Sequence, residues 1–407
     1  MRGAGDHLSI GERIAFYRRR RGLTQSVLAS LVGRSEDWLS KIERGERDIR
    51  RLDVLSDLAR ALRVTLGDLL GQPVLVEDEH NDDDVPAIRD ALMAPHRLSR
   101  RLFSDQTPGW RADLEQTRRL TDATWDDYQR GRVTRVIAIL PQLIRSAQAL
   151  EEHESSRARW RVSSRIHHLA ATTLIKVGEA DLAWIAGERA MGAADNADDP
   201  LALASAARAA THGLLAVGRY DDAIELGSAA HGWLSSQLRD EDPEALSLAG
   251  MLDLRMALAA ARRDDRASTR ELLDRADGAA ERLGVDANHW QTAFGPTNVT
   301  LHRIAAALDL GDLAYVTEYG PRVEAAGMPI ERRVSKQIDV ARGHSLLGED
   351  DAAIDTLMLA EREAPPLVRH NPAVRETVRT IHRRAPVTMN RRQADVARLA
   401  ERCRAIE

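Results

Sequence analysis

QSVLASLVGRSEDWLSKIER, residues 25–44, decides how this 407-residue chain begins. Ala29 is the fifth residue of that window, Gly33 the ninth, Leu39 the fifteenth and Ile42 the eighteenth. A small fifth residue lets two helices cross closely. A glycine at the ninth takes a turn conformation that other residues resist. The two later apolar residues seat a second helix on a core and leave its other face free. Capping residues stand where helices should start: Thr24 before Gln25–Leu31 and Ser35 before Glu36–Arg44, with Gly45 placed to end the latter.

Working outward, Ser9 is placed to cap a preceding helix that carries Ile10, Ile14 and Ala15 and stops at Gly22. Downstream, Leu52, Leu55, Leu58 and Ala59 mark a helix over Leu52–Leu62, and Thr65 with Asp68 resembles a capping box opening a fifth, Leu66–Leu70. The string GERIAFYRRRRGLTQSVLASLVGRSEDWLSKIERGER, followed by LARAL and VTLGDLL, resembles the repressor/Cro-type (xenobiotic-response-element) helix-turn-helix family over residues 10–71. That resemblance implies a third helix lying in the DNA major groove, with dimers reading half-sites about one helical turn apart.

Carried over residue by residue, the resemblance puts Gln25 at a phosphate or base edge. It puts Glu36, Asp37, Ser40 and Lys41 on the base-facing side, with Lys41 the best placed for a base, and Arg34, Arg44 and Arg47 at phosphates. The cap Ser35 belongs to the same surface, and Trp38 either packs on the core edge or touches the sugar backbone. Arg18 and Glu43 match a pair that is structural in the family, a buried ion pair without a part in readout. Glu36 and Asp37 depart from the family's usual Gln, Asn or Arg. An acid accepts from cytosine N4 but repels phosphate; alternatively, both acids simply favour a helix N-terminus.

Composition sets the wider frame. Apolar residues make up 43%, charged residues 30% and aromatics 4%, with Ala, Leu and Arg abundant, so the expected class is all-α and soluble, in two or three domains. Lysine occurs only at Lys41, Lys176 and Lys336, an arginine bias that hints at a GC-rich, actinobacterial source. Residues 1–71 hold 14 Arg/Lys and 10 Asp/Glu, a charge of +4, which leaves -9 for the rest of a chain whose total is -5. A basic head on an acidic body suits a head that meets DNA. Cys403 is the single cysteine, which excludes an intramolecular disulfide and a multi-cysteine metal site. No signal peptide and no long apolar run is evident, so the expected location is the cytoplasm and no membrane partner is expected.

QPVLVEDEHNDDDVPA, residues 72–87, reads as an acidic linker with Glu77, Asp78, Glu79, Asp82, Asp83 and Asp84. Such a run is a solvated tether or, more specifically, a DNA mimic that competes for the basic head. From residue 88 to 385 a unit repeats, most clearly in VGRYDDAIELGSAA at Gly218, and again at Gly178, Gly311 and Gly348, with degenerate copies at Gly131 and Arg263. The spacings along these six marks are 47, 40, 45, 48 and 37 residues. The turn Gly218, the aromatic Tyr220 and the small Ala223 resemble the tetratricopeptide family. The resemblance implies an α-solenoid of helix hairpins with a concave binding face, followed by a C-terminal helix or tail over 386–407.

The family's frame would line that face with Arg165, His168, Thr172, Ser205, Arg208, His212, Asp253, Asn298 and Arg342. Such a set suits a peptide backbone, a carboxylate or a small ligand, or is an ordinary solvated face. WQTAFGPTNVTLHR, residues 290–303, breaks the pattern at Gly295-Pro296, as an inter-repeat turn or the floor of a ligand site. No nucleotide loop, zincin motif or dinucleotide turn occurs, so neither enzyme activity nor a cofactor or metal is expected. Head and body together resemble two-part Gram-positive regulators that join a repressor-type head to a tetratricopeptide-like sensor. The resemblance implies a homodimeric, sequence-specific transcriptional regulator that binds double-stranded DNA and senses a peptide or small molecule. The alternative is a protein-interaction scaffold with a vestigial head.

Overall fold

The structure, a computed structural model, describes residues 9–20, 23–47, 49, 52–62, 64, 69, 85–95, 112–152, 156–237, 242–385 and 391–405. By contact the chain divides into two units, Met1–Met93 and Ala94–Glu407. The class is all-α: the described residues form helices, with one isolated antiparallel bridge between Ala287 and Phe294.

The first unit opens with α1 (Ile10–Arg20), α2 (Gln25–Leu31), α3 (Glu36–Glu43) and α4 (Leu52–Leu62). The starts of α1, α2 and α3 are fixed by local chemistry. Ser9 and Glu12 form a reciprocal capping box, with the Ser9 N–H donating to Glu12 at 2.7 Å. Thr24 and Ser35 accept from the N–H groups of Val27 and Trp38. Gly33 and Gly45 sit at φ 64° and 71°, the left-handed region where a side chain would be strained. Ile14, Leu28, Leu39, Leu58, Leu62 and Leu69 close one apolar core. Apart from Leu69, the fifth helix expected over residues 66–70 lies outside the described residues, as do the acids of the linker. A further helix, α5 (Val85–Leu92), is grouped with this unit and includes residue 88, where the repeats were expected to begin.

The second unit consists largely of antiparallel hairpins. These are α6 (Leu114–Gln129) with α7 (Val133–Glu152), α8 (Arg157–Lys176) with α9 (Ala180–Ala197), and α10 (Pro200–Ala216) with α11 (Tyr220–Gln237). Then come α12 (Pro243–Arg262) with α13 (Arg266–Leu283), α14 (Pro296–Asp309) with α15 (Leu313–Tyr319), and α16 (Ile330–Leu346) with α17 (Asp350–Glu363). Gly131, Gly178, Gly218, Gly311 and Gly348 turn five of them at φ between 74° and 86°. At the turn that the sequence shows as degenerate, Asp264 takes the same conformation at φ 58°. Three shorter helices follow: α18 (Pro365–Arg369), α19 (Pro372–Arg384) and α20 (Arg391–Arg402).

The first helices of successive hairpins pack on one another, and α6 also packs on α16. The inner face is therefore closed across its own opening. Its polar residues form part of a core, and five of the nine expected to line a concave surface are buried. Between α13 and α14 the chain leaves the hairpin pattern. Phe294 is fully buried, and a Cβ on Gly250 would lie 2.0 Å from its ring. Beside it, Trp290, Gln291 and Ala293 hold φ of 51°, 54° and 48°, interrupted by a right-handed Thr292, and each left-handed position costs an L-residue about 1–2 kcal/mol.

Candidate functional site

In the first unit, Leu39 and Ile42 pin α3 to the core while Leu28 and Ala29 do the same for α2. Glu36 and Asp37 are thereby left exposed, with Ser40 and Lys41 half-exposed. Lys41 Nζ lies 2.7 Å from Asp37 Oδ2, and this hydrogen bond holds the Asp37 carboxyl below its usual range. Arg44 forks onto Glu46 and donates to Ser40 Oγ at 2.7 Å. Such exposed pairs contribute little to stability and exchange readily for other partners. Arg34 lies 5.6 Å from the Trp38 ring centroid, and Trp38 is half-buried against the core edge. Ser35 and Arg47 are exposed.

Behind this face, Arg18 grips Glu43 through two hydrogen bonds of 2.6 and 2.8 Å, and both side chains are buried. Gln25 turns its amide inward and donates to Glu43 at 2.7 Å. Its first partner is thus the ion pair. Sequence reasoning passed over Gly11. A Cβ there would stand 1.9 Å from the Ile42 carbonyl oxygen, so α1 and α3 approach backbone to backbone. A glycine two residues after the capping Ser9 carries no local signal of this approach.

In the second unit, the expected ligand residues separate into groups. His168 Nδ1 meets Ser205 Oγ at 3.0 Å, and Arg208 approaches His168 Nε2 at 3.2 Å and donates to the Trp290 carbonyl at 3.2 Å. Thr172 and His212 line the same small void. Arg165 pairs with Asp122 at 2.7 Å and borders a larger cavity of about 760 Å³. Asp253 lies elsewhere, paired with Arg275 at 2.6 Å and His231 at 3.1 Å. Asn298 is fully buried and donates to the Thr292 carbonyl at 3.2 Å, which ties the irregular loop to α14. Arg342 joins Asp339 at 3.4 Å, away from the others.

Three charged residues around the small void were not foreseen: Arg255, Glu331 and Arg332. Glu331 lies against Lys176, with Arg332 at 3.5 Å. Burial alone would raise its carboxyl, but Lys176, Arg332 and Arg255 hold it at about 2. Burial and mutual repulsion push the Arg208 guanidinium down to about 9 and that of Arg255 to about 10. Burial also keeps His168 and His212 well below the usual imidazole range, so both are neutral near pH 7. The one sequence signal was Arg255 itself, a guanidinium within the apolar run LDLRMALAAA. Among the described residues no cluster of His, Cys, Asp or Glu could hold a metal ion, and no helix is long and apolar enough to cross a membrane.

A family model described as a helix-turn-helix domain matches residues 9–70. The chain therefore carries a helix-turn-helix domain at its start. No curated protein matches it. Among solved structures, Bacillus thuringiensis PlcR in complex with the peptide PapR7 and DNA aligns at 14% identity over 68% of this chain and 95% of that one, with a TM-score of 0.31.

Proposed function

We propose that this chain is a sequence-specific DNA-binding transcriptional regulator of the repressor/Cro type. The observation that carries this reading is the free face of α3, held outward by Leu39 and Ile42 and flanked by Arg34, Arg44 and Arg47. The body acts as the dimerising and sensing part, with a peptide or small molecule as effector. Specific binding leans on two linked heads, because Glu36 and Asp37 weaken the attraction of a single head for phosphate. Lys41 and Arg44 exchange their partners Asp37 and Glu46 for base edge and phosphate on binding.

Selection of bound sequences from randomised duplex DNA, followed by Lys41→Ala, tests the reading. The substitution is expected to weaken the selected site by about 1–3 kcal/mol and relax preference at one position. A chain that selects no sequence, or a variant with unchanged preference, would remove α3 as the reader. Sedimentation of the full chain at micromolar concentration is expected to give a dimer. The pairing of Lys41 with Asp37 favours a second reading, a protein-interaction scaffold with a vestigial head. Under that reading the selection fails while the body still retains a protein partner.

A further inference from the structure

The void at the centre of the inner helices has an unusual charge balance. Glu331 is the one acid among its lining residues, whereas Arg208, Arg255 and Arg332 are all present. Lys176 also reaches Glu331 from α8, so that single negative charge is already engaged. Arg208 is 5% exposed and Arg255 9% exposed, yet the Nε of each finds no hydrogen-bond acceptor. A buried guanidinium nitrogen left without an acceptor is costly, and an excess of buried charge of one sign is a poor device for stability alone. The neighbouring imidazoles do not add charge, so the excess belongs to the arginines.

We propose that this void is a binding site for a carboxylate group, gripped by Arg208, Arg255 and Arg332 at the centre of the repeat body. Guanidinium forks match a planar carboxylate, and a carboxylate would offset the excess that Glu331 leaves. The void is small, about 20 Å³, enough for a group and too small for a whole effector. Gln291 lines both this void and the larger cavity of about 760 Å³ beside it. The carboxylate enters the void and the remainder of its molecule lies in the larger cavity. Trp290 and Gln291 stand between the two with left-handed backbones, and the Trp290 carbonyl occupies an arginine that the carboxylate would claim. Strain of this kind concentrates at ligand clamps. The regulatory meaning of the site rests on the reading of the chain as a DNA-binding regulator; its chemistry does not.

The test uses the full chain without DNA, so a failure here is separate from a failure of the DNA-binding reading. Thermal unfolding is followed in sodium acetate against sodium chloride at equal ionic strength. Acetate at ten times its dissociation constant is expected to raise the midpoint by about 2–3 °C in a saturable way. Arg255→Met should abolish that response while the body still unfolds cooperatively in chloride, because it removes the buried guanidinium whose Nε has no acceptor. Trp125, edge-on to His168 at 5.1 Å, gives a second readout in the wild-type protein. Its emission should shift over the same acetate range, and Trp125→Phe should remove the shift, whether or not the arginine variant folds. Tri-alanine with a free C-terminus, compared with its amide, separates the two sources of a carboxylate. A larger effect of the free peptide than of acetate indicates a peptide terminus, and an equal or smaller one a small organic acid. Equal responses to acetate and chloride, no response at all, or an acetate response that survives Arg255→Met would overturn the site.

Discussion

Each unit of the molecule buries a cluster of charge, and the two are built on opposite plans. In the head, one cation meets one anion: Arg18 forks onto Glu43, donates to the Leu23 carbonyl at 2.9 Å, and Gln25 supplies a further donor to the carboxylate. In the body, Arg208, Arg255, Arg332 and Lys176 surround Glu331. The first cluster is saturated and joins α1 to α3, which fixes the helix offered to solvent. The second is unsaturated and keeps donors in reserve. A buried charge thus reads as scaffold when its partners balance it, and as a site when they do not.

The largest effect should come from breaking the balanced cluster. Glu43→Gln leaves Arg18 buried without a counter-charge, a loss of about 3–5 kcal/mol. For a unit of this size that is most of its stability, so amide protection should vanish across α1 to α4 while the hairpins of the body keep theirs. Retained protection in the head would mean that Arg18 is hydrated, and the contrast between the clusters would fall.

In the body the corresponding loss can be reached by acid alone. Glu331 sits at about 2 when folded against an ordinary 4.5, so the unfolded chain takes up the proton first. The stability it contributes is therefore complete above pH 4.5 and is lost as the pH falls toward 2. The amount is about 3 kcal/mol. Glu331→Gln should lose a similar amount at neutral pH and then lack the wild-type decline between pH 5 and 2. A variant that declines in parallel with the wild type would assign that acid sensitivity to other carboxylates.

What was legible in the sequence follows from the range over which each feature is determined. The caps at Ser9, Thr24 and Ser35, the turns at Gly33 and Gly45, and the five glycine turns of the body depend on a few adjacent residues, and each is found where the sequence places it. The Arg18–Glu43 pair joins residues 25 positions apart, and was legible because a family resemblance supplied the pairing. Arg208, Arg255 and Arg332 come from three different hairpins, so their convergence depends on how the stack closes on itself, which no local pattern encodes. The same closure buried Ser205 and Asn298, which a frame built for an open groove places on a surface. Asp253 shows the limit of that frame more sharply. It is on the helix that supplies Arg255, but it pairs with Arg275 of α13.

Glycines carry the comparison between the units down to smaller energies. Gly11 is where α1 touches the α3 backbone, and Gly11→Ala must move the two helices apart because a carbonyl oxygen stands 1.9 Å from the new carbon. Overpacking of this kind costs about 1–3 kcal/mol, and here it would also tilt α3, so DNA affinity should fall together with the melting of the head.

Gly278, inside α13, has no atom within 4 Å of an added Cβ. Gly278→Ala should therefore gain the helix propensity that glycine forgoes, up to about 1 kcal/mol, and raise the midpoint of the body by a degree or two. The two substitutions are the same chemical change with opposite expected signs, since one glycine is kept for contact and the other is not. If both destabilise, α13 has a neighbour at Gly278 that a single chain does not show, and a second copy of this chain is the first to test there by sedimentation. If both are neutral, α1 and α3 can separate freely, and the fixed presentation of α3 loses its basis.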